Sequence, residues 1–440
     1  MLLKGNIVYK IIFSLLFILS IRAVFIYSFG PNVVSFGDDH PIYHSTAIKL
    51  ATDPKEWTRP GSEFGYRAPL YFIFLSAIYS IVPEPSYQVG QMLSAILGTL
   101  NCLIIFLIVR NYYDEKTAWI SFWIRGLLPT FILSDTFVLS ELLFDSFMLI
   151  SFLLLSLNIN EPKLYQWLGI GLCMALCVLT REAAILFPFI FLVILAFKSH
   201  GNIKTLGRIF VFSMCFIIVL MPWLFRNKLV WGKALPLSYT AGVNLHIGNN
   251  IDANGHWVLA PAEGLPNNAK FGTPEFNDWH MLKGKEYIIE DPIRFVKLGF
   301  KKIAWFLFPS FHREDIFTVY NFSNKTTNII AIISGVSSAA LILIGIVCFL
   351  FIKKDEYWKI TLVLMLYSSL VTFIVYGSSR YRDQIDNLLV VFAALLATRW
   401  NEITFHVKNL KNKYNRMMIY YCTGIVIFII CNWTWVLRKK

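Results

Sequence analysis

Residues 69–82 read PLYFIFLSAIYSIV, and whether this run crosses a bilayer decides the threading of everything after it. The run opens on Pro69 and stops at Pro83-Glu84-Pro85. Crossing about 30 Å of hydrocarbon takes about 20 apolar residues, and runs of about 10–14 more often lie in the interface or re-enter it. Lys and Arg supply an independent constraint, because short basic loops stay cytoplasmic. Lys4 and Lys10 mark the start of the first apolar run, and Arg110 and Lys116 follow the second. Later basic groups are Lys198/Lys204/Arg208, Lys353/Lys354/Lys359 and Arg399/Lys408/Lys411/Lys413/Arg416. If 69–82 crossed, 110–116 would fall outside and the later loops would invert. The reading is therefore a helix lying in the outer interface.

Working outward, apolar runs stand near 8–30, 89–109, 117–134, 139–158, 167–180, 183–197, 209–225, 329–352, 358–376, 386–398 and 417–437. They predict an all-α integral membrane bundle of about 11 spans with the C-terminus outside, although the tail Arg438-Lys439-Lys440 runs against the charge bias. Composition agrees. Of 440 residues, 56% are apolar and 15% charged, with 38 Phe, where soluble domains average about 45–50% and about 25%. That excludes a soluble enzyme, a disordered chain and a fibrous protein. The net charge of +13 sits mainly between apolar runs. It reads as topology rather than as a nucleic-acid footprint, and no nucleic acid is expected as a partner. All seven cysteines lie inside apolar runs, where neither a disulfide framework nor a zinc site is built.

Three regions follow. Residues 1–225 form an N-terminal transmembrane module including a first outer loop, 31–88. Residues 226–328 form an extracytoplasmic loop domain of mixed structure, in which Trp305 to Phe308 are expected to dock on the bilayer. Residues 329–440 form C-terminal transmembrane helices.

The chemistry-bearing residues gather at helix ends. Asp38 and Asp39 follow Gly37 at the start of the first outer loop. They read either as helix caps or as a base for an acceptor hydroxyl at the membrane face. His40 and His44, four apart, add a candidate set for a divalent metal. Arg67 stands where the loop re-enters the membrane, suited to phosphate or to snorkelling. Arg22, Arg125, Glu141, Asp145 and Arg181 interrupt apolar runs, where ionisable groups are costly. By topology Asp38, Asp39, Arg67, Glu141, Arg181, Arg226 and Arg380/Arg382 share the outer face. Carboxylates beside several guanidiniums suit a lipid-anchored phosphate, and no glycine-rich nucleotide cradle is present.

In order, the motifs are Asp39-x-x-x-Tyr43-x-x-x-Ala47, Arg67-Ala68-Pro69-Leu70-Tyr71, Ser140-Glu141-Leu142-Leu143-Phe144 and Leu179-Thr180-Arg181. Pro222-Trp223-x-x-Arg226-Asn227, Gly242-x-Asn244-Leu245-x-x-Gly248-Asn249 and Arg380-Tyr381-Arg382 follow. This series resembles the GT-C glycosyltransferases that use polyprenyl-phosphate sugars, above all the family 39, protein-mannosyltransferase-like group with the lipid A aminoarabinose transferases. It departs from the family pattern at Ala68, Glu182 and Asp383, each standing where members commonly carry Pro.

The resemblance implies a helical bundle whose juxtamembrane outer helices build the site. Asp39, with Asp38, would activate the acceptor, and Glu141 would line the same cavity. Arg67, Arg181, Arg380 and Arg382 would hold the donor phosphate. Tyr43, Tyr66, Tyr71, Arg226, Asn244, Asn249 and Tyr381 would line the cavity. The donor would be a polyprenyl-phosphate-linked sugar, transferred with inversion to a lipid, polysaccharide or protein acceptor. The setting would be a bacterial inner membrane with the site facing outward. The rival readings are a lipid-linked saccharide transporter or flippase, and a polysaccharide polymerase or ligase. A transporter would be expected to show repeat symmetry and charges on both leaflets, and neither is visible.

Overall fold

The computed structural model describes residues 5–30, 39–157, 163–198, 203–234 and 237–401. Among these the fold is helical, without β-strands. The first half comprises α1 (Gly5–Phe29), α2 (Asp39–Thr52), α3 (Glu63–Tyr66), α4 (Leu70–Tyr79), α5 (Tyr87–Tyr112), α6 (Glu115–Leu127), α7 (Pro129–Ser134), α8 (Glu141–Ser156) and α9 (Leu164–Thr180). The second comprises α10 (Phe187–Lys198), α11 (Ile203–Trp231), α12 (Ala241–Gly248), α13 (Pro274–Glu290), α14 (Pro292–Phe306), α15 (Arg313–Val319), α16 (Asn324–Phe351), α17 (Glu356–Ile374) and α18 (Asp383–Thr398).

Five helices are long and apolar enough to cross a membrane: α1, α5, α11, α16 and α17, with crossing stretches of 19 to 28 residues. Ten of the eleven apolar runs are helical. The eleventh, 417–437, lies outside the described residues, as do Asp38 and the basic tail. The run 117–134 is not one continuous span. Leu128 is extended (φ −65°, ψ 126°) and Pro129 opens α7, because a residue before proline is forced out of the α region. The run 69–82 yields α4, whose ten residues reach only about 15 Å at 1.5 Å per residue. Its Tyr71, Phe72, Leu75 and Tyr79 are buried, and it packs along α2.

The bundle interior holds charge as well as apolar side chains. Asp135, fully buried, accepts from two arginines. Arg22 of α1 reaches its Oδ2 at 2.9 and 2.5 Å, and Arg125 of α6 clasps both oxygens at 2.9 and 2.8 Å. Arg125 Nε also donates to Asn387 Oδ1 at 2.7 Å, and Asn387 donates to Asp145 at 2.7 Å. This network joins α1, α6, α8 and α18. Gly98 of α5 makes room for it, since a Cβ there would lie 2.2 Å from the Asp135 carboxyl.

The segment 226–328 differs from the sequence reading in its elements, in its start and in where Trp305 and Phe308 lie. Its described elements are helices, not a mixture. Its start is not a boundary, because α11 continues to Trp231. It is also tied to the bundle. Lys302 of α14, fully buried, donates to Asn249 Oδ1 at 2.8 Å and to the Phe373 and Ile374 carbonyls at 3.2 and 3.1 Å. Burial lowers its ammonium pKa to about 7. Trp305 and Phe308 are buried rather than presented to lipid. They pack on each other and on Phe311, because Pro309 turns the chain back onto α16, where Ser310 N donates to Ser338 Oγ.

Candidate active site

The site is assembled from helix ends. Asp39 is the first residue of α2 and Glu141 the first of α8. Carboxylates are favoured there by the unpaired N–H groups and the positive end of the helix dipole. Arg67 and Arg181 are the extended residues closing α3 and α9 (ψ 166° and 110°), where a cation is favoured. Arg380 sits in a 3₁₀ turn over Ser379–Arg382, capped by the Ser378 side chain. Local helix electrostatics therefore favour Asp39, Glu141, Arg67 and Arg181 where they stand, while Arg380, just before the N-terminus of α18, is held by the acids it meets.

The five groups meet. Arg67 donates to Asp39 Oδ1 at 2.7 Å and, through Nε, to Glu63 at 3.2 Å. Arg380 bridges the two acids, donating to Asp39 Oδ2 at 3.2 Å and to Glu141 Oε1 at 2.8 and 3.2 Å. Arg181 completes the ring at 3.0 Å from Glu141 Oε1 and 3.3 Å from Ser140 Oγ. Three guanidiniums thus face three carboxylates. Asp39 is 28% exposed and Glu141 8%, so an incoming molecule meets Asp39 first. Burial pushes the Asp39 carboxyl up, but Arg67 and Arg380 outweigh it and hold the group well below the usual carboxylate range.

Aromatic residues frame the ring. Tyr43 donates to Ser140 Oγ at 3.2 Å and turns its face toward Arg67, 5.8 Å away. Tyr381 lies 5.6 Å from Arg181 and donates to the Tyr376 hydroxyl. Tyr66 is near Arg67 at 6.0 Å but its ring packs on Phe271. Tyr71 is buried behind Tyr43.

Other expected residues fall elsewhere. Arg382 is buried and holds Asp386 (2.7 and 3.2 Å), the Phe306 and Phe308 carbonyls (2.5 and 2.8 Å) and the Ser310 and Ser338 hydroxyls (3.2 Å each). Its donors are spent inside the bundle, so it has none for a phosphate. Arg226 donates to the Trp57 carbonyl at 2.9 Å and stacks by Trp223 and Phe64. Asn249 is held by Lys302, and half-buried Asn244 lies within α12. The two histidines read as metal candidates each have another partner, and Asp38 lies outside the described residues. His40 Nε2 is engaged by Asp315 at 2.9 Å and His44 Nδ1 by the Tyr79 hydroxyl at 2.9 Å. Among the described residues no three His, Cys, Asp or Glu side chains are placed so that they could hold a metal ion.

Several contributors escaped sequence reasoning. Glu63 is the i−4 partner of Arg67, a spacing that would have revealed it. Glu182 accepts from the Ser238 and Thr240 hydroxyls, tying the segment after α11 to the Arg181 turn. Tyr376 and Asp315 had no local signal.

Comparison with known proteins fits this architecture. Residues 66–225 match the family profile described as dolichyl-phosphate-mannose-protein mannosyltransferase. No curated sequence matches the chain. The fold is similar to that of the oligosaccharyltransferase AglB from Archaeoglobus fulgidus in complex with an inhibitory peptide and a dolichol-phosphate. The identity is 15% and the TM-score 0.52, covering 98% of this chain and 55% of that one. The same enzyme with Zn and sulfate gives 15% and 0.51, covering 91% and 52%. The chain thus spans about half the length of these oligosaccharyltransferases. ArnT from Cupriavidus metallidurans bound to undecaprenyl phosphate aligns at 12% identity and TM-score 0.45, covering 93% and 80%. The family match covers little more than a third of the chain, residues 66–225, and the likeness to the solved glycosyl-transferring enzymes is one of fold.

Proposed function

We propose that this protein transfers a sugar from a polyprenyl-phosphate donor to an acceptor hydroxyl or phosphate on the extracytoplasmic face, by single displacement with inversion. The observation that carries the reading is the ring of Arg67, Arg181 and Arg380 around Asp39 and Glu141. The donor is a phosphodiester with one negative charge, and the released polyprenyl phosphate carries up to two. As the bond between the sugar's anomeric carbon and the phosphate oxygen breaks, its electron pair stays on the phosphate. Guanidiniums already in place stabilise that growing charge without reorganising. The acceptor oxygen bonds to the anomeric carbon from the opposite face and passes its proton to Asp39.

The resting ring opposes this chemistry, because the two arginines on Asp39 make it a weak base. Donor phosphate competes for those arginines, and each contact it takes from Asp39 restores basicity. Binding the donor therefore switches on the base. A phosphate-linked lipid donor also agrees with the dolichyl-phosphate-mannose of the matched family and the dolichol-phosphate bound to AglB.

The test uses purified protein with a panel of synthetic polyprenyl-phosphate sugars, polyprenyl-phosphate mannose first, scored by release of polyprenyl phosphate. Asp39→Asn should reduce turnover about 10²–10⁴-fold, the usual worth of a general base. Wild-type turnover in Asp39→Asn would remove Asp39 from that role.

A further inference from the structure

Beside the ring lies a second cluster that the chemistry above does not use. Asp315, on α15, accepts from two histidines: His40 Nε2 at 2.9 Å to one oxygen and His312 Nδ1 at 3.3 Å to the other. Both imidazoles are buried, and their remaining nitrogens, His40 Nδ1 and His312 Nε2, have no hydrogen-bond partner. With neither outer nitrogen anchored, the orientation of both rings depends on Asp315. Phe137 fills the space between them, 5.3 Å from His40 and 5.6 Å from His312. His312 also has a left-handed backbone, φ 53°, a conformation that strains a non-glycine residue. Such a conformation persists where surroundings enforce it, and the ring's bond to Asp315 is one such restraint.

The position of the cluster gives it meaning. His40 directly follows Asp39 in the first turn of α2, and Phe137 precedes Glu141 by four residues. The Arg380 charge also acts on Asp315. Among the described residues, the side chains that hydrogen-bond the Asp39 carboxylate are Arg67 and Arg380, which a donor phosphate would draw away. When those contacts are exchanged, something else must keep the first turn of α2 in place.

We infer that Asp315 is a positioning residue: through His40 it anchors the start of α2, so that Asp39 stays aimed at the acceptor once donor phosphate has taken over the arginines. This rests on the base role proposed for Asp39. The roles divide cleanly, since arginines hold the phosphate while the His40–Asp315–His312 bridge holds the carboxylate that takes the proton.

Kinetics with polyprenyl-phosphate mannose test it. Asp315→Asn should lower kcat about 10-fold, within the 100-fold that a 1 Å misplacement can cost, while KM for the donor stays within about 2-fold of wild type. His40→Ala should match it. His40→Gln, whose amide can still donate to Asp315, should recover most of the loss. The double variant His40→Ala/Asp315→Asn should be no slower than either single variant, since one bridge is cut twice. Unchanged kcat in Asp315→Asn, a loss confined to KM, or additive losses would each overturn the inference. Should Asp315→Asn fail to fold, His40→Ala against His40→Gln decides: equal kcat in the two refutes it. Wild-type turnover in Asp39→Asn refutes instead the base assignment beneath it.

Discussion

Replacing Arg380 with Gln removes the side chain that, among the described residues, bridges Asp39 and Glu141. Its terminal nitrogen lies 2.8 Å from Glu141 and 3.2 Å from Asp39, and its Nε lies 3.2 Å from Glu141. In the wild type, three guanidiniums balance Glu63, Asp39 and Glu141. Without Arg380 the ring carries an excess negative charge just where a second one develops on the leaving phosphate. Loss of one preorganised donor to a developing oxyanion costs about 10²–10³ in kcat, or about 2.7–4 kcal/mol. Arg380→Gln should therefore turn over about 100-fold or more slowly. Arg380→Lys restores the charge but not the two-nitrogen fork, and should recover only about 10-fold of that loss. The assay is release of polyprenyl phosphate under saturating donor, with thermal unfolding in detergent recorded for each variant. A folded Arg380→Gln whose kcat stays within about 3-fold of wild type would refute the charge-stabilisation argument, and an equal kcat in Gln and Lys variants would refute the electrostatic part of it.

Two further outcomes concern stability. Asp135→Asn leaves two buried arginines facing each other without a carboxylate, a loss of about 3–5 kcal/mol, visible as a markedly lower unfolding temperature, and an unchanged one would refute the structural role of the network. In the segment after α11, the His246 and His280 Nδ1 atoms are hydrogen-bonded at 2.8 Å, and burial, with His246 beside it, holds His280 down to about 4. The unfolded histidine takes up protons first, so stability is full above about 6.5 and falls as pH drops toward 4. His280→Phe should flatten that part of the pH–stability profile, and an unaltered acid limb would refute the assignment.

What the sequence disclosed, and what it concealed, follows from the range of the interactions. Asp39, Arg67, Glu141, Arg181 and Arg380 were legible because each flanks or interrupts an apolar run, and helix-end electrostatics favour the first four where they meet. Pro129 carried the signal for the α6–α7 break, which the reading of 117–134 as one run passed over. Arg382 misled because Arg380 and Arg382 look equivalent in the triplet. Only the 3₁₀ turn separates them, sending one to the ring and the other to Asp386, one helical turn onward. Asp315 had no local signal, since its partner His40 lies 275 residues away. The same distance effect hid Asp135, whose neighbours Thr136 and Ser134 suggest an ordinary turn.

The buried arginines carry a consequence for how this protein is made. Arg22 enters with the first helix, but the carboxylate that neutralises it emerges 113 residues later. At about 5–20 residues per second, the ribosome needs roughly 6–23 s to deliver Asp135. Throughout that interval α1 carries an uncompensated cation and is a poor resident of pure lipid. The first helix must therefore linger beside the insertion machinery or ride high in the bilayer, and it seats only when the third apolar segment and the turn beyond it arrive.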